Sequence, residues 1–155
     1  MLTVDPQRAG DLLVEARRDA RMTQSRLAEL SATSQPSIAA IENGRRTPSP
    51  ELLERLLRAA DYRPGIALER CGADIRRLGA EHGVTNIRVF GSASRGTDHH
   101  TSDIDLLIDV EEGRSYFDVG AFVADVEDLT GFPVDIIVDG PSRPAFLTDD
   151  ELVPL

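Results

Sequence analysis

The sequence predicts two small domains in series, an α-helical bundle of about five helices followed by a mixed α/β sheet. Apolar residues recur at three- and four-residue spacing through roughly the first 70 positions. Short apolar runs bounded by glycine and proline take over after that. Charge divides at the same place: residues 1–70 carry 11 Arg against 10 acidic residues, net +1, and residues 71–155 carry 6 Arg against 17, net −11. The expected division is 1–68 and 69–155, each part small against the roughly 100–200 residues of an average domain.

The first helix is expected over residues 11–22, with Leu12, Leu13, Ala16 and Ala20 on one side and arginines on the other. Thr23 reads as an N-cap for a second helix over 24–30, in which Leu27, Ala28 and Leu30 are apolar. The chain turns at 31–33, and Ser34 caps a third helix. Pro36 suits its first turn, where an N–H has no helical partner, and Ile38 and Ile41 form its buried stripe. Asn43-Gly44 ends it. Pro50 opens a fourth helix carrying Leu52, Leu53, Leu56 and Leu57, and a further helical segment is expected from Ile66 onward. Two short helices about a tight turn predict a helix-turn-helix.

The pattern Thr23-Gln24-x-x-Leu27-Ala28-x-x-Ser31-x-x-Ser34-Gln35-x-x-Ile38-x-x-Ile41-Glu42-x-Gly44-x-x-x-Pro48 resembles the phage-repressor-like (Xre, Cro/CI) helix-turn-helix family over about residues 8–62. The resemblance implies that the third helix enters the major groove of operator DNA. Gln35 would be foremost among the base readers, followed by Ser37 and Ala39, with the cap residue Ser34 beside them. Gln24, Asn43, Arg45 and Arg46 would touch phosphates. Pro36 and Ala40 stand where many relatives carry polar base readers, so direct readout is expected to be sparse. The near-neutral charge of this half also requires Arg21, Arg26, Arg45 and Arg46 to cluster if a duplex is to be attracted. The alternative is a bundle that only docks the second domain or dimerises.

In the second half, residues 71–82 have helical spacing ended by Gly83, and 86–90 read as a short buried strand running into Gly91. The stretch from Gly91 to Gly96 then lies at a strand-to-helix turn, where backbone N–H groups and the Ser92 hydroxyl can cradle phosphate oxygens. Arg95 can neutralise a phosphate oxygen or pair with an aspartate. A second strand begins at Asp103, with ten residues between it and Ser92, and alternation puts Asp103, Asp105, Leu107 and Asp109 on one face, with Ile104, Leu106 and Ile108 on the other. Carboxylates at i and i+2 share a face and can hold Mg²⁺ against a nucleoside triphosphate. A helix is expected over 117–129, closed by Gly131, and a third strand over 133–138. Asp135 reads there as a carboxylate within a buried apolar strand, a costly position unless it is paired or metal-bound. The plainer alternatives are solvated positions for all three aspartates. His99 and His100 read as loop residues, and Asp109, Glu111 and Glu112 as a solvated strand end. The tail, 141–155, ends in Leu147, Leu152, Val153 and Leu155, which can pack on the sheet or meet a partner.

Gly91-Ser92-x₁₀-Asp103-x-Asp105, with Arg95-Gly96 between and Asp135 on a later strand, resembles the DNA polymerase β nucleotidyltransferase superfamily in its minimal form, over about residues 72–155. That resemblance implies transfer of a nucleoside monophosphate from ATP or another triphosphate. Asp103 and Asp105 would be Mg²⁺ ligands, Asp135 a further ligand or the base for the acceptor hydroxyl, and Gly91 and Ser92 would hold the β and γ phosphates. The chemistry asks for such residues, because two Mg²⁺ ions about 3.5–4 Å apart clamp the attacking and leaving oxygens of an in-line transfer.

The single cysteine, Cys71, excludes a disulfide framework and a thiolate zinc site and fits a reducing cytoplasm. No apolar stretch reaches the ~18–20 residues of a membrane span, so no membrane partner is expected. The net charge of −11 in residues 71–155 discourages a polynucleotide acceptor. Chains resembling this half are commonly antitoxins encoded beside a HEPN ribonuclease toxin, which they silence by adenylylating a tyrosine. The resemblance therefore implies an antitoxin with two jobs, a transferase acting on its toxin and an operator-binding autorepressor, as a homodimer or a hetero-oligomer with the toxin. The alternatives are an antitoxin that neutralises by binding alone, a transferase for a small molecule such as an aminoglycoside, and a transcription factor that senses nucleotide without turnover.

Overall fold

In the computed structural model the described residues are 6–155; positions 1–5 of the expected first domain lie outside them. Five helices come first: α1 (Ala9–Asp19), α2 (Gln24–Ser31), α3 (Gln35–Glu42), α4 (Pro50–Ala59) and α5 (Pro64–His82). Hydroxyl caps start three of them. The side chains of Thr23, Ser34 and Ser49 accept from the backbone N–H groups of Arg26, Ser37 and Leu52, which satisfies donors that have no helical partner. Leu12, Leu13, Ala16, Leu27, Ile38, Ile41, Leu56 and Leu57 are buried together.

Two expectations change here. The first helix starts and ends earlier than 11–22, because the chain reverses through Arg21 in the left-handed region (φ 51°) before Thr23 caps α2. The segments expected from Ile66 and over 71–82 are one helix of 19 residues, α5, with no proline inside it after Pro64. The expected division at 68/69 falls within it.

The second half builds a four-stranded sheet in the order β3-β2-β1-β4. β1 (Val84–Phe90) begins two residues before the expected strand and carries an irregularity between Thr85 and Arg88, where Asn86 takes φ 47°. β2 (Ile104–Val110) runs antiparallel to β1, and β3 (Val134–Val138) runs parallel to β2. A one-turn helix, α6 (Gly91–Arg95), joins β1 to the loop before β2, and α7 (Tyr116–Thr130) makes the crossover from β2 to β3. Asp118 Oδ2 accepts from the Ser115 N–H at 2.8 Å, fixing the start of α7, and Gly131 ends it.

Ile104, Leu106 and Ile108 face α5 and α7 in one buried cluster that continues through Ile75 into the helical bundle. Phe90, Leu107 and Leu147 form a smaller cluster with Ile137 and Leu152 around them. The tail thus packs on the sheet, and it also adds β4 (Val153–Pro154) antiparallel to β1, a strand too short to show any periodicity in the sequence. Asp135, expected within a buried strand, is exposed, because β3 is the outer strand and its solvent side is uncovered. Among the described residues no helix is long and apolar enough to cross a membrane.

α5 packs tightly on β1 at Gly79, where an added Cβ would stand 2.8 Å from the Val84 carbonyl oxygen and 2.9 Å from Ile87 Cδ1. Gly79→Ala is expected to lower unfolding stability by about 1–3 kcal/mol through overpacking against backbone, read from the urea midpoint. An unchanged midpoint would mean that the helix and strand separate without cost.

Candidate active site

The residues singled out in the second half come together at one end of the sheet. β1 delivers the chain to Gly91, whose backbone is left-handed (φ 71°), and α6 starts there. Phe90 lies opposite Asp105 on β2, and Asp105 is level with Asp135 on β3. Asp103 precedes β2 by one residue. Across the sheet the sequence is therefore glycine corner, Asp105, Asp135, with Asp103 at the strand entrance. Gly91 is required twice over. Its φ disfavours any side chain, and a Cβ would overlap the Asp105 carboxylate, standing 2.9 Å from its Cγ.

Asp105 is half-buried and Asp103 and Asp135 are exposed. Burial first, then the like charges of Asp135 and Asp103, push the Asp105 carboxyl above the ordinary carboxylate range, while the Arg95 guanidinium pulls the other way. Asp135, Asp103 and Arg95 are thus all close enough to act on Asp105 electrostatically. No group of three or more His, Cys, Asp or Glu among the described residues is drawn together tightly enough to hold a metal ion. The three carboxylates are neighbours by register and by charge without closing on a common point. A hard cation fits this donor set: it is all carboxylate oxygen, it raises its own proton affinity, and it borders a corner that a Cβ would fill. Ser92 lies in the first turn of α6, and Ser94 Oγ donates to the Gly91 carbonyl at 3.0 Å, bracing the corner. Beside Asp103 an open cleft of about 390 Å³ runs between Glu54 and Arg58 of α4, His100 and Phe132.

The residues singled out in the first half form a second constellation along α2 and α3. Gln24 Nε2 donates to Glu42 Oε2 at 2.7 Å, and Gln35 Nε2 donates to Gln24 Oε1 at 2.7 Å. Ser34 Oγ donates to Ser37 Oγ at 2.8 Å, and Arg46 Nη1 donates to the same oxygen at 3.1 Å. Gln24, Ser34, Gln35, Ser37 and Arg46 are thereby linked in two short chains at the start of α3. Asn43 instead donates from Nδ2 to the Ala39 carbonyl at 2.8 Å, and Ala39 itself is half-buried. Arg45 is exposed in the turn after α3.

What orients this group was not visible in the sequence. Arg17 of α1 grips Glu42 with two donors, at 2.6 and 3.0 Å. Burial would raise the Glu42 carboxyl, but its bonds to Arg17 and Gln24 outweigh that and hold it below the usual range. Glu42 belongs to the motif, yet its partner lies 25 positions away on another helix, which only the fold reveals.

Residues 8–65 match the model of a helix-turn-helix domain, and residues 74–151 match that of the nucleotidyltransferase domain. A Methanocaldococcus jannaschii protein provisionally named a protein adenylyltransferase is 34% identical over 64 residues, covering 41% of this chain and 69% of the relative. A solved structure provisionally described as a minimal nucleotidyltransferase superposes with a TM-score of 0.52 at 35% identity, covering 59% of this chain and 95% of its own.

The raised Asp105 carboxyl sets the sign of a stability effect. A carboxyl whose proton affinity is higher in the folded state favours folding below its unfolded value, and that contribution is lost as pH rises through the folded value. Asp105→Asn is therefore expected to raise the urea midpoint at about pH 7 and to lose this advantage at about pH 3, where both states are protonated. A variant less stable than wild type at neutral pH would contradict the assignment.

Proposed function

The chain belongs to the nucleotidyltransferase domain family, and from that premise we propose that it transfers AMP from ATP to a hydroxyl group of a partner protein. The observation behind this reading is the seat of Asp105, pressed against the Gly91 corner and flanked by Asp135 and Asp103. Asp103 and Asp105, with Asp135, would hold Mg²⁺, two ions in the full site. Bound there, the metal supplies charge neutralisation at the triphosphate and at the attacking and leaving oxygens. The Gly91 and Ser92 backbone and the Ser92 hydroxyl take the β- and γ-phosphate oxygens, and Arg95 offsets the charge that builds on the leaving group. The acceptor oxygen bonds to the α-phosphorus as the α–β bridging P–O bond breaks and pyrophosphate departs. Asp135, exposed at the sheet edge, serves as a ligand or takes the proton that the acceptor hydroxyl gives up.

A protein acceptor is supported by the activity named for the M. jannaschii relative and by the net −11 charge of residues 71–155, which repels a polynucleotide. In the arrangement we propose, the acceptor is a tyrosine of a HEPN-type ribonuclease toxin and this chain is its antitoxin, in a homodimer or a hetero-oligomer with the toxin. The helix-turn-helix binds operator DNA through Gln35, Ser37 and neighbouring groups and represses its own operon. The division between the two jobs lies at 68/69, inside α5.

The transferase reading is tested by incubating the chain with Mg²⁺, α-radiolabelled ATP and the purified product of the adjacent gene. Label is expected on that protein, and Asp103→Ala is expected to cut the rate by at least about a hundredfold. Equal labelling by wild type and variant would sink the assignment. For the DNA reading, Gln35→Ala is expected to weaken operator binding by about 1–3 kcal/mol and to relax sequence preference at one position. Arg46→Ala is expected to weaken all sequences alike and to lower the salt slope by about 1. Gel-shift titrations at several salt concentrations read both.

A further inference from the structure

The loop 96–103 carries the chain from the glycine corner to Asp103, and its polar anchors reach into the helical half. The Asp98 carboxylate is fully buried (side-chain exposure 0%) and accepts from Arg63 Nη1 at 2.8 Å and from the Gly65 N–H at 2.6 Å. Arg63 turns its other edge to Asp19 at the end of α1, at 2.9 and 3.1 Å. Two residues further along the loop, the His100 N–H donates to Asp61 Oδ1 at 2.8 Å, and His99 Nδ1 lies 3.1 Å from Asp61 Oδ2. The His100 ring donates from Nδ1 to the Tyr62 carbonyl at 2.7 Å, since a carbonyl can only accept. Ser102 closes the turn next to Asp103, accepting from the His99 N–H at 3.0 Å.

The rings of Tyr62 and His100 also reach the entrance of β3. The Tyr62 ring lies 5.3 Å from Phe132, which meets the His100 ring edge-on at 6.3 Å. Phe132 precedes Pro133, whose carbonyl accepts from the Ile104 N–H at 2.9 Å, and Asp135 follows two positions later. Asp61 holds a left-handed backbone (φ 51°), a conformation that aspartate and asparagine adopt more readily than other side chains. The continuous α5 and the separate Arg70–Glu15 pair (3.3 Å) join the helical half to the rest without using this loop. Besides these links, the contacts of Asp61, Tyr62 and Arg63 lie on the two chain segments that lead to Asp103 and Asp135.

We propose that Asp61, Tyr62 and Arg63 are positioning residues for nucleotidyl transfer: from the connection between α4 and α5 they hold the Asp103 loop and the β3 entrance so that both carboxylates stand beside Asp105. The transferase half thus depends on the helical half for the geometry of its site. This inference rests on the reading of Asp103, Asp105 and Asp135 as the metal-binding carboxylates.

The test compares full-length Asp61→Ala, Asp61→Asn, Glu15→Gln and Asp103→Ala by electron paramagnetic resonance titration of Mn²⁺ with ATP and by hydrogen exchange along 96–103. Asp61→Ala is expected to weaken Mn²⁺–ATP binding roughly tenfold, through loss of hydrogen bonds to a charged acceptor, and to speed exchange in the loop while that in α2 and α3 stays unchanged. Asp61→Asn keeps an acceptor oxygen and suits the left-handed backbone, so it is expected to restore most of both. Glu15→Gln removes an ion pair distant from the loop and is expected to match wild type. If Asp61→Ala does not fold, Arg63→Lys, which keeps the charge but loses the fork between Asp98 and Asp19, is held to the same expectations. Wild-type binding by the Asp61→Ala or Arg63→Lys variant, or an equal loss in Glu15→Gln, overturns the proposal. Wild-type binding by Asp103→Ala overturns instead the reading of the site on which it rests.

Discussion

A carboxylate withdrawn from water between two others is unfavourable on its own, and the second half of this protein is arranged around one. Asp105 sits in β2 opposite Phe90 and level with Asp135, with Asp103 two residues before it. Keeping it there requires β1 to end at a residue without a side chain, because any Cβ at Gly91 would occupy the same space. It also requires an apolar reverse face, where Ile104, Leu106 and Ile108 bind the strand to α5 and α7. The hydrophobic effect therefore holds the strand in place against the repulsion on its other face. A hard cation held beside these carboxylates would relieve the repulsion that the fold leaves uncompensated.

Helices α2 and α3 use the opposite strategy. There the buried charge is already compensated: Glu42 is gripped by Arg17 and by Gln24, and Gln24 in turn orients Gln35. A preorganised side chain at the start of α3 loses less freedom on meeting any ligand than one pointing freely into solvent. One half of the molecule presents finished hydrogen-bond geometry, and the other presents unbalanced charge.

Much of this was legible in the sequence because the signals are local. Hydroxyl caps at Thr23 and Ser34, the proline in the first turn of α3 and the glycines after α5 and α7 place helix ends within a residue or two. The alternation from Asp103 to Val110 assigns Asp105 its face. Other features were hidden because they depend on partners far apart in the chain. The exposure of Asp135 follows from strand order, which a single strand's pattern does not carry. β4 spans two residues and one of them is proline, so no period exists to read. His99 and His100 look like turn residues in sequence, yet they bond to Asp61 and Tyr62, 38 or 39 positions earlier. The two expected helical segments after Ile66 merged because nothing between them breaks a helix, and Gly72, a candidate weak point, is packed against Leu155.

That unbroken α5 has a mechanical consequence. A 19-residue helix is about 28 Å long, and this one lies in the same buried cluster as both halves of the molecule, so it behaves as a strut with no elbow. On the proposed reading, an influence of nucleotide or acceptor on operator occupancy would work by changing how many copies assemble, or which surfaces they screen, more readily than by swinging α2 and α3 relative to the sheet.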